Sequence, residues 1–147
     1  MQKFKFNLEN VLKYRESIEE QQKEQLASSI RRVQAEKKFL NDLLGQKKNA
    51  LSFANSNPGA VNVIMLQHNE TYHSFLNARI EMQRKKLRDA QNLVKKHRLQ
   101  LAEAAKKRKI MESLKEKYME EYQKTLGKEE QKNLDEAGIA AYCRKAE

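Results

Sequence analysis

The chain has 147 residues, with 30 Lys or Arg against 20 Asp or Glu, a net charge of +10, four Gly, one Pro, one Cys and no Trp. One proline excludes a multi-loop β fold, which needs turns at regular intervals, and no apolar run approaches the roughly 18 residues of a membrane span. Cys143 alone cannot close an internal disulfide, so a secreted disulfide scaffold is excluded and a reducing cytosol fits.

Abundant Lys, Glu, Gln, Leu, Ala and Arg predict long helices. The opening residues alternate polar and apolar types and turn acidic by Glu9, unlike the apolar stretch of a secretory signal. The expectation is a protein that works in the cytoplasm where it is made. A first helix is predicted from about residue 6 to 54. Leu26, Val33 and Leu40 form one apolar row, and Ile30, Leu44 and Leu51 form a second, broken by Lys37. Leu8, Val11, Leu12 and Ile18 give a looser stripe before them. Gly45 is a weak blemish, costing about 1 kcal/mol against Ala.

The turn is predicted at residues 55–59, Asn-Ser-Asn-Pro-Gly, with Asn57 as cap and Pro58 at a first helical position. A second helix follows over about 60–126, with continuation to 142 left open. Leu66, His73, Ile80, Leu87, Val94, Leu101 and Arg108 recur every seven residues. Leu76, Gln83, Ala90, His97, Ala104, Met111 and Tyr118 fill the place three later. This is the 3.5-residue period of a supercoiled seam. Gly127 and Gly138 suggest a break or fraying near the end.

The predicted fold is therefore all-α, a single coiled-coil domain over 1–147: two long helices in an antiparallel hairpin, the second longer and overhanging. A bend at Asn57–Pro58 makes facing residue numbers sum to roughly 115. Leu40 then lies near Phe75 and Leu76, Val33 near Met82, Ile18 near His97, and Phe4 near Met111, over a paired length of roughly 75 Å. Beyond about residue 115 the second helix has no facing helix in this register. Its stripe nevertheless continues through Met111, Leu114, Tyr118, Tyr122 and Leu126. Two readings follow: a docking face for another protein, or a first helix that bends or slips to cover it.

No catalytic constellation is visible. His68 and His73 are five apart and do not share a helix face, while His73 and His97 occupy seam positions. A seam histidine is foremost a packing device, given the spacing zinc needs. The glycines form no phosphate loop, and no Ser–His arrangement is plausible. No cofactor or metal is expected. Charge is concentrated. Arg84, Lys85, Lys86, Arg88, Lys95, Lys96, Arg98, Lys106, Lys107, Arg108 and Lys109, against Asp89 and Glu103, carry +9 of the +10. All but Arg108 fall largely on outward heptad positions. Three readings stay open: a solvated face, attraction to an acidic protein surface, and phosphate neutralisation. The third lacks interleaved aromatics for base stacking, so no nucleic-acid partner is expected.

The opening reads Phe4-Lys-Phe6-Asn-Leu8-Glu9-Asn-Val11-Leu12-Lys-Tyr14-Arg15. Much later come Tyr118, Tyr122 and the run Glu130-Gln131-Lys132-Asn-Leu134-Asp135-Glu136. This pair of terminal motifs, with the length, central turn and basic balance, resembles the FliJ family of flagellar export proteins over essentially the whole chain. The related component of injectisome-type secretion systems agrees less well.

The resemblance implies a non-catalytic coiled coil, similar to the central stalk of rotary ATPases and peripherally associated with the membrane-bound export apparatus at the flagellar base. It implies no membrane insertion. Its terminal end would dock in the hexameric export ATPase FliI and promote ring formation, through Leu12, Arg15, Tyr118, Tyr122, Leu126, Gln131, Leu134 and Asp135. Its hairpin end would meet the export gate protein FlhA through Tyr72, Leu76, Arg79 and Gln83, with Phe39 and Leu43 on the facing helix. The family pattern has a small residue where Arg79 stands and a histidine where Gln83 stands. Leu76 and Gln83 also fall on the seam, so that row reads partly as core. Export chaperones such as FliT are further implied partners. The rival readings are a structural adapter or export chaperone without ATPase contact, and a nucleic-acid-binding coiled coil.

Overall fold

The computed structural model describes residues 3–56 and 63–145. The fold is all-α: helix α1 spans Glu9–Ser56 and helix α2 spans Val63–Lys145, with no strand among the described residues. A turn at Asn7–Leu8 leads into α1, and the Glu9 N–H donates to the Phe6 carbonyl at 3.2 Å. Glu9 in the first turn and Arg144 and Lys145 in the last turn of α2 suit the helix dipoles.

Helix α1 runs through Asn55 and Ser56, which were expected in the turn. The remainder of that expected turn, with Asn57 and Pro58, lies outside the described residues. Gly127 and Gly138 do not interrupt α2. Neither has a positive φ, and a Cβ on either would meet open space. Their helix continues because strong helix formers surround them, so each costs only about 1 kcal/mol of propensity.

Two compact units form, and in each α1 and α2 pair in antiparallel fashion. The first comprises residues 20–102. Leu43 and Leu76, 2% and 1% exposed, cluster with Ile80, and Leu40 packs against them. Burying a leucine this fully stabilises by about 1.5–3 kcal/mol. The buried Gln83 amide donates to the Glu36 carbonyl at 3.1 Å and to its carboxylate.

These pairings shift the register by about one turn from that expected, although Leu40 packs on the cluster that holds Leu76, as expected. The numbers of Leu43 and Leu76, and of Glu36 and Gln83, sum to 119, as do those of Ser56 and Val63, the last residue of α1 and the first of α2. The sum of 115 ended α1 too early, since that helix runs on through Ser56.

Every position of the two expected rows from His73 to Met111 is buried or half-buried, and Leu93, Gln100 and Ala105 beside them are half-buried as well. Leu66 and Tyr118 are exposed and lie outside that buried run. In α1 the row of Leu26, Val33 and Leu40 holds, extended by Leu12, Glu19 and Lys47. The second row does not. It is Arg15, Gln22, Ser29, Glu36, Leu43 and Ala50 that turn inward, while Ile30 is half-buried and Leu44 and Leu51 are exposed. A seam position can take a polar residue when its hydrogen bonds are met nearby. The Ser29 hydroxyl, for example, donates to the Gln25 and Leu26 carbonyls at 3.0 and 2.9 Å.

The second unit comprises residues 3–19 and 103–145 of the described chain. Its buried apolar residues are Phe6, Leu12 and Ala104. Glu19, also buried, pairs with Arg108, and Glu9 pairs with Lys115 at 2.8 Å. Residues 3–6 are not helical. They lie along α2, and Phe4 faces Tyr122 instead of Met111. An extended residue advances about 3.3 Å and a helical one about 1.5 Å. The two-residue step from Phe6 to Phe4 therefore matches the four-residue step from Tyr118 to Tyr122.

Candidate interaction surfaces at the terminal and hairpin ends

The terminal end is built around an aromatic ladder. Phe4 and Tyr122 have ring centroids 5.5 Å apart, and Phe6 and Tyr118 6.0 Å, both tilted. Tilted pairs at these separations contribute about 0.5–1.5 kcal/mol each beyond area burial. Phe6 is 7% exposed, whereas Tyr118 keeps about half of its surface open. An open groove of about 670 Å³ lies between residues 3–8 and these two tyrosines. The expected bare stripe is thus corrected. Tyr118 and Tyr122 have an internal partner, and it is the non-helical N-terminal segment, neither a bent nor a slipped first helix.

The other residues expected at this end separate by burial. Leu12 is buried and Arg15 half-buried, so both belong to the seam and Leu12 offers no surface. Leu126 is half-buried. The Gln131 side-chain amide donates to the Asp135 carboxylate at 2.8 Å, one turn on, and Leu134 is exposed. Every described residue from Gly127 to Lys145 is exposed, including Ile139 and Tyr142.

Arg108 is the one member of the basic stretch held in the seam. It bridges Glu19 and Glu112, with its side chain 21% exposed. Its guanidinium is held above the ordinary arginine range, first by the hydrogen bond to Glu19 and then by that to Glu112. Arg108 is therefore charged, and its ion pair with Glu19 joins the two helices at this level.

At the hairpin end Tyr72, Phe39 and Arg79 are exposed. The Arg79 guanidinium sits 5.8 Å from the Phe39 ring centroid and 5.6 Å from that of Phe75, close enough for cation–π attraction to both. Leu43, Leu76 and Gln83 are buried. Leu76 and Gln83 lie on the seam, where the heptad placed them, and Leu43 joins them beneath the exposed row. Phe75 was missed as part of this surface. Its signal was the spacing from Arg79, four residues on along one helix face.

The whole chain was compared with known proteins. It matches the family described as Flagellar FliJ protein over residues 4–147. The chain belongs to the FliJ family. No curated protein and no solved structure is matched. Membership associates this FliJ chain with the flagellar type III protein export apparatus. Among its described residues no helix is long and apolar enough to cross a membrane.

In this FliJ-family chain His68 is exposed, and His73 and His97 are half-buried on the seam, where the heptad placed the latter two. Cys143 is exposed near the end of α2. The remaining basic residues of the 84–109 stretch are exposed. Arg84 pairs with Glu81 at 2.6 Å and Lys107 with Glu103 at 3.2 Å, both within one turn of α2. Such exposed pairs contribute little to stability.

Proposed function

We propose that this chain is a non-catalytic coupling component of the flagellar export apparatus, joining the export ATPase FliI at its terminal end to the gate protein FlhA at its hairpin end. The observation that carries the reading is the family match over residues 4–147, taken with an α2 whose last turns from Gly127 are exposed throughout. A long helix with exposed Leu134, Ile139 and Tyr142 and no facing helix among the described residues has apolar surface to bury against a partner. The ring protein would take up this segment together with Tyr118, Tyr122, Leu126, Gln131 and Asp135, and its assembly would be promoted by the contact. Export chaperones such as FliT would bind the same component.

The gate would meet Tyr72, Phe39 and Arg79. In this reading Leu12, Leu43, Leu76 and Gln83 act by holding the helix pair. The mechanism is mechanical and allosteric: binding energy at the terminal end biases an assembly, while the hairpin end engages the gate.

A pull-down with the purified export ATPase tests it. The full chain is compared with Tyr122→Ala and with a truncation before Glu130. Capture by the full chain, reduced in both variants, supports terminal docking. Equal capture by the truncated chain removes the α2 end from the account.

A further inference from the structure

The pairing of α1 with α2 in residues 20–102 brings together charges that lie far apart in sequence. Arg31, Arg32, Lys37 and Lys38 of α1 stand level with Arg84, Lys85, Lys86 and Arg88 of α2. The level is fixed by the Gln83–Glu36 hydrogen bond and by Arg79 over the Phe39 ring. Lys37 and Arg84 directly follow the bonded Glu36 and Gln83, on one flank of the seam. Arg32 and Lys86 lie one heptad from Phe39 and Arg79, on the other flank.

Both flanks thus carry like charges at the same height. Residues 31–38 and the level stretch 81–88 hold eight basic side chains and two acids, Glu36, which Gln83 bonds, and Glu81, which pairs with Arg84. The section spans about 12 Å of helix. Among the described residues only Arg84 of the eight is in an ion pair, with Glu81.

Flank positions of a coiled coil set partner choice through opposite charges. A hairpin selected only for its own stability places acid against base there. Here the flanks repel, so the compensating charge is external. We propose that this cationic belt docks an acidic helical segment of a partner protein, laid along the seam edge with glutamates at heptad spacing. In residues 31–38 and 81–88 the exposed apolar side chains are only Ala35 and Met82, a single large one and too little apolar surface to hold the belt in a bilayer. It has no aromatic for base stacking. A helix pair about 20 Å across does not enter a DNA major groove of about 12 Å. The inference stands apart from terminal docking on an ATPase.

The test uses the full chain and three probes: a synthetic alanine-based helix with glutamates at heptad spacing, duplex DNA, and phosphatidylglycerol vesicles, at matched salt. The helix is expected to bind most tightly, and the double variant Arg32→Glu with Lys37→Glu to weaken that binding about tenfold or more. The same variant should have a thermal midpoint equal to or above that of the parent, because two repulsive pairs become attractive. Unchanged affinity for the helix overturns the proposal, as does tighter parental binding to DNA or to vesicles. A lower midpoint overturns the claim of flank repulsion. The outer-face variant Lys38→Glu with Arg88→Glu gives a second reading of helix affinity that leaves the flanks intact, and its binding should also fall.

Discussion

Leu76→Ala separates seam from surface at the hairpin end. Leu76 is 1% exposed and packs with Leu43 and Ile80, with Leu40 closing the cluster. Truncation removes three buried carbons and leaves a void that two long helices cannot collapse without breaking register. Leucine-to-alanine changes at such sites cost about 2–5 kcal/mol, and full burial places this one near 3. At about 1.4 kcal/mol per factor of ten, the folded-to-unfolded ratio falls on the order of 100-fold. Phe75→Ala, one residue away and more than half exposed, should cost well under half of that, including its contact with Arg79. Urea unfolding followed by far-UV circular dichroism measures both, with the midpoint falling at constant slope. A Leu76→Ala variant within about 0.5 kcal/mol of the parent would refute the placement of Leu76 in the core and restore it as a surface contact.

Other outcomes follow from the terminal unit and the open end of α2. Phe4→Ala with Phe6→Ala should speed amide exchange over residues 118–122 while leaving exchange around Leu43 and Leu76 unchanged, by hydrogen-exchange mass spectrometry. Gly127→Ala should raise helix stability by about 0.5–1 kcal/mol, because the glycine is helical and its Cβ position opens on empty space; a drop in the thermal midpoint would mean that α2 is broken there. Glu19→Gln removes a buried carboxylate from the doubly bonded Arg108, and the thermal midpoint should fall more than for Glu103→Gln, whose pair with Lys107 is exposed. The raised pKa of Arg108 means that its contribution is complete below the ordinary arginine pKa and is lost only as pH rises through the still higher folded value. Stability from pH 6 to 9 should therefore show no loss from its deprotonation.

The α2 seam could be read from sequence because two rows repeating every seven residues from His73 to Met111, mostly apolar, supply all of its buried side chains. The second row of α1 could not. A search for apolar residues selects Ile30, Leu44 and Leu51, whereas the helix pair turns Gln22, Ser29 and Glu36 inward, where local carbonyls and Gln83 meet part of their bonding. The register was misjudged because Asn55 and Ser56 resemble turn residues yet extend α1.

At the candidate sites the motif residues were visible but their burial was not. Phe4 and Phe6 were legible as a pattern. Their pairing with Tyr122 and Tyr118 depends on a non-helical start that advances twice as far per residue as a helix, and no periodicity carries that information. The cationic belt was legible only in half, as a run on α2. Its α1 half, Arg31 to Lys38, joins it through the fold.

The central claim is coupling to the export ATPase. ATP hydrolysis by the purified ring protein is measured across a concentration series of the full chain and of a chain truncated before Glu130. Hydrolysis should rise to a plateau with the full chain and rise less with the truncated one. Hydrolysis that stays flat across the series with the full chain would contradict it.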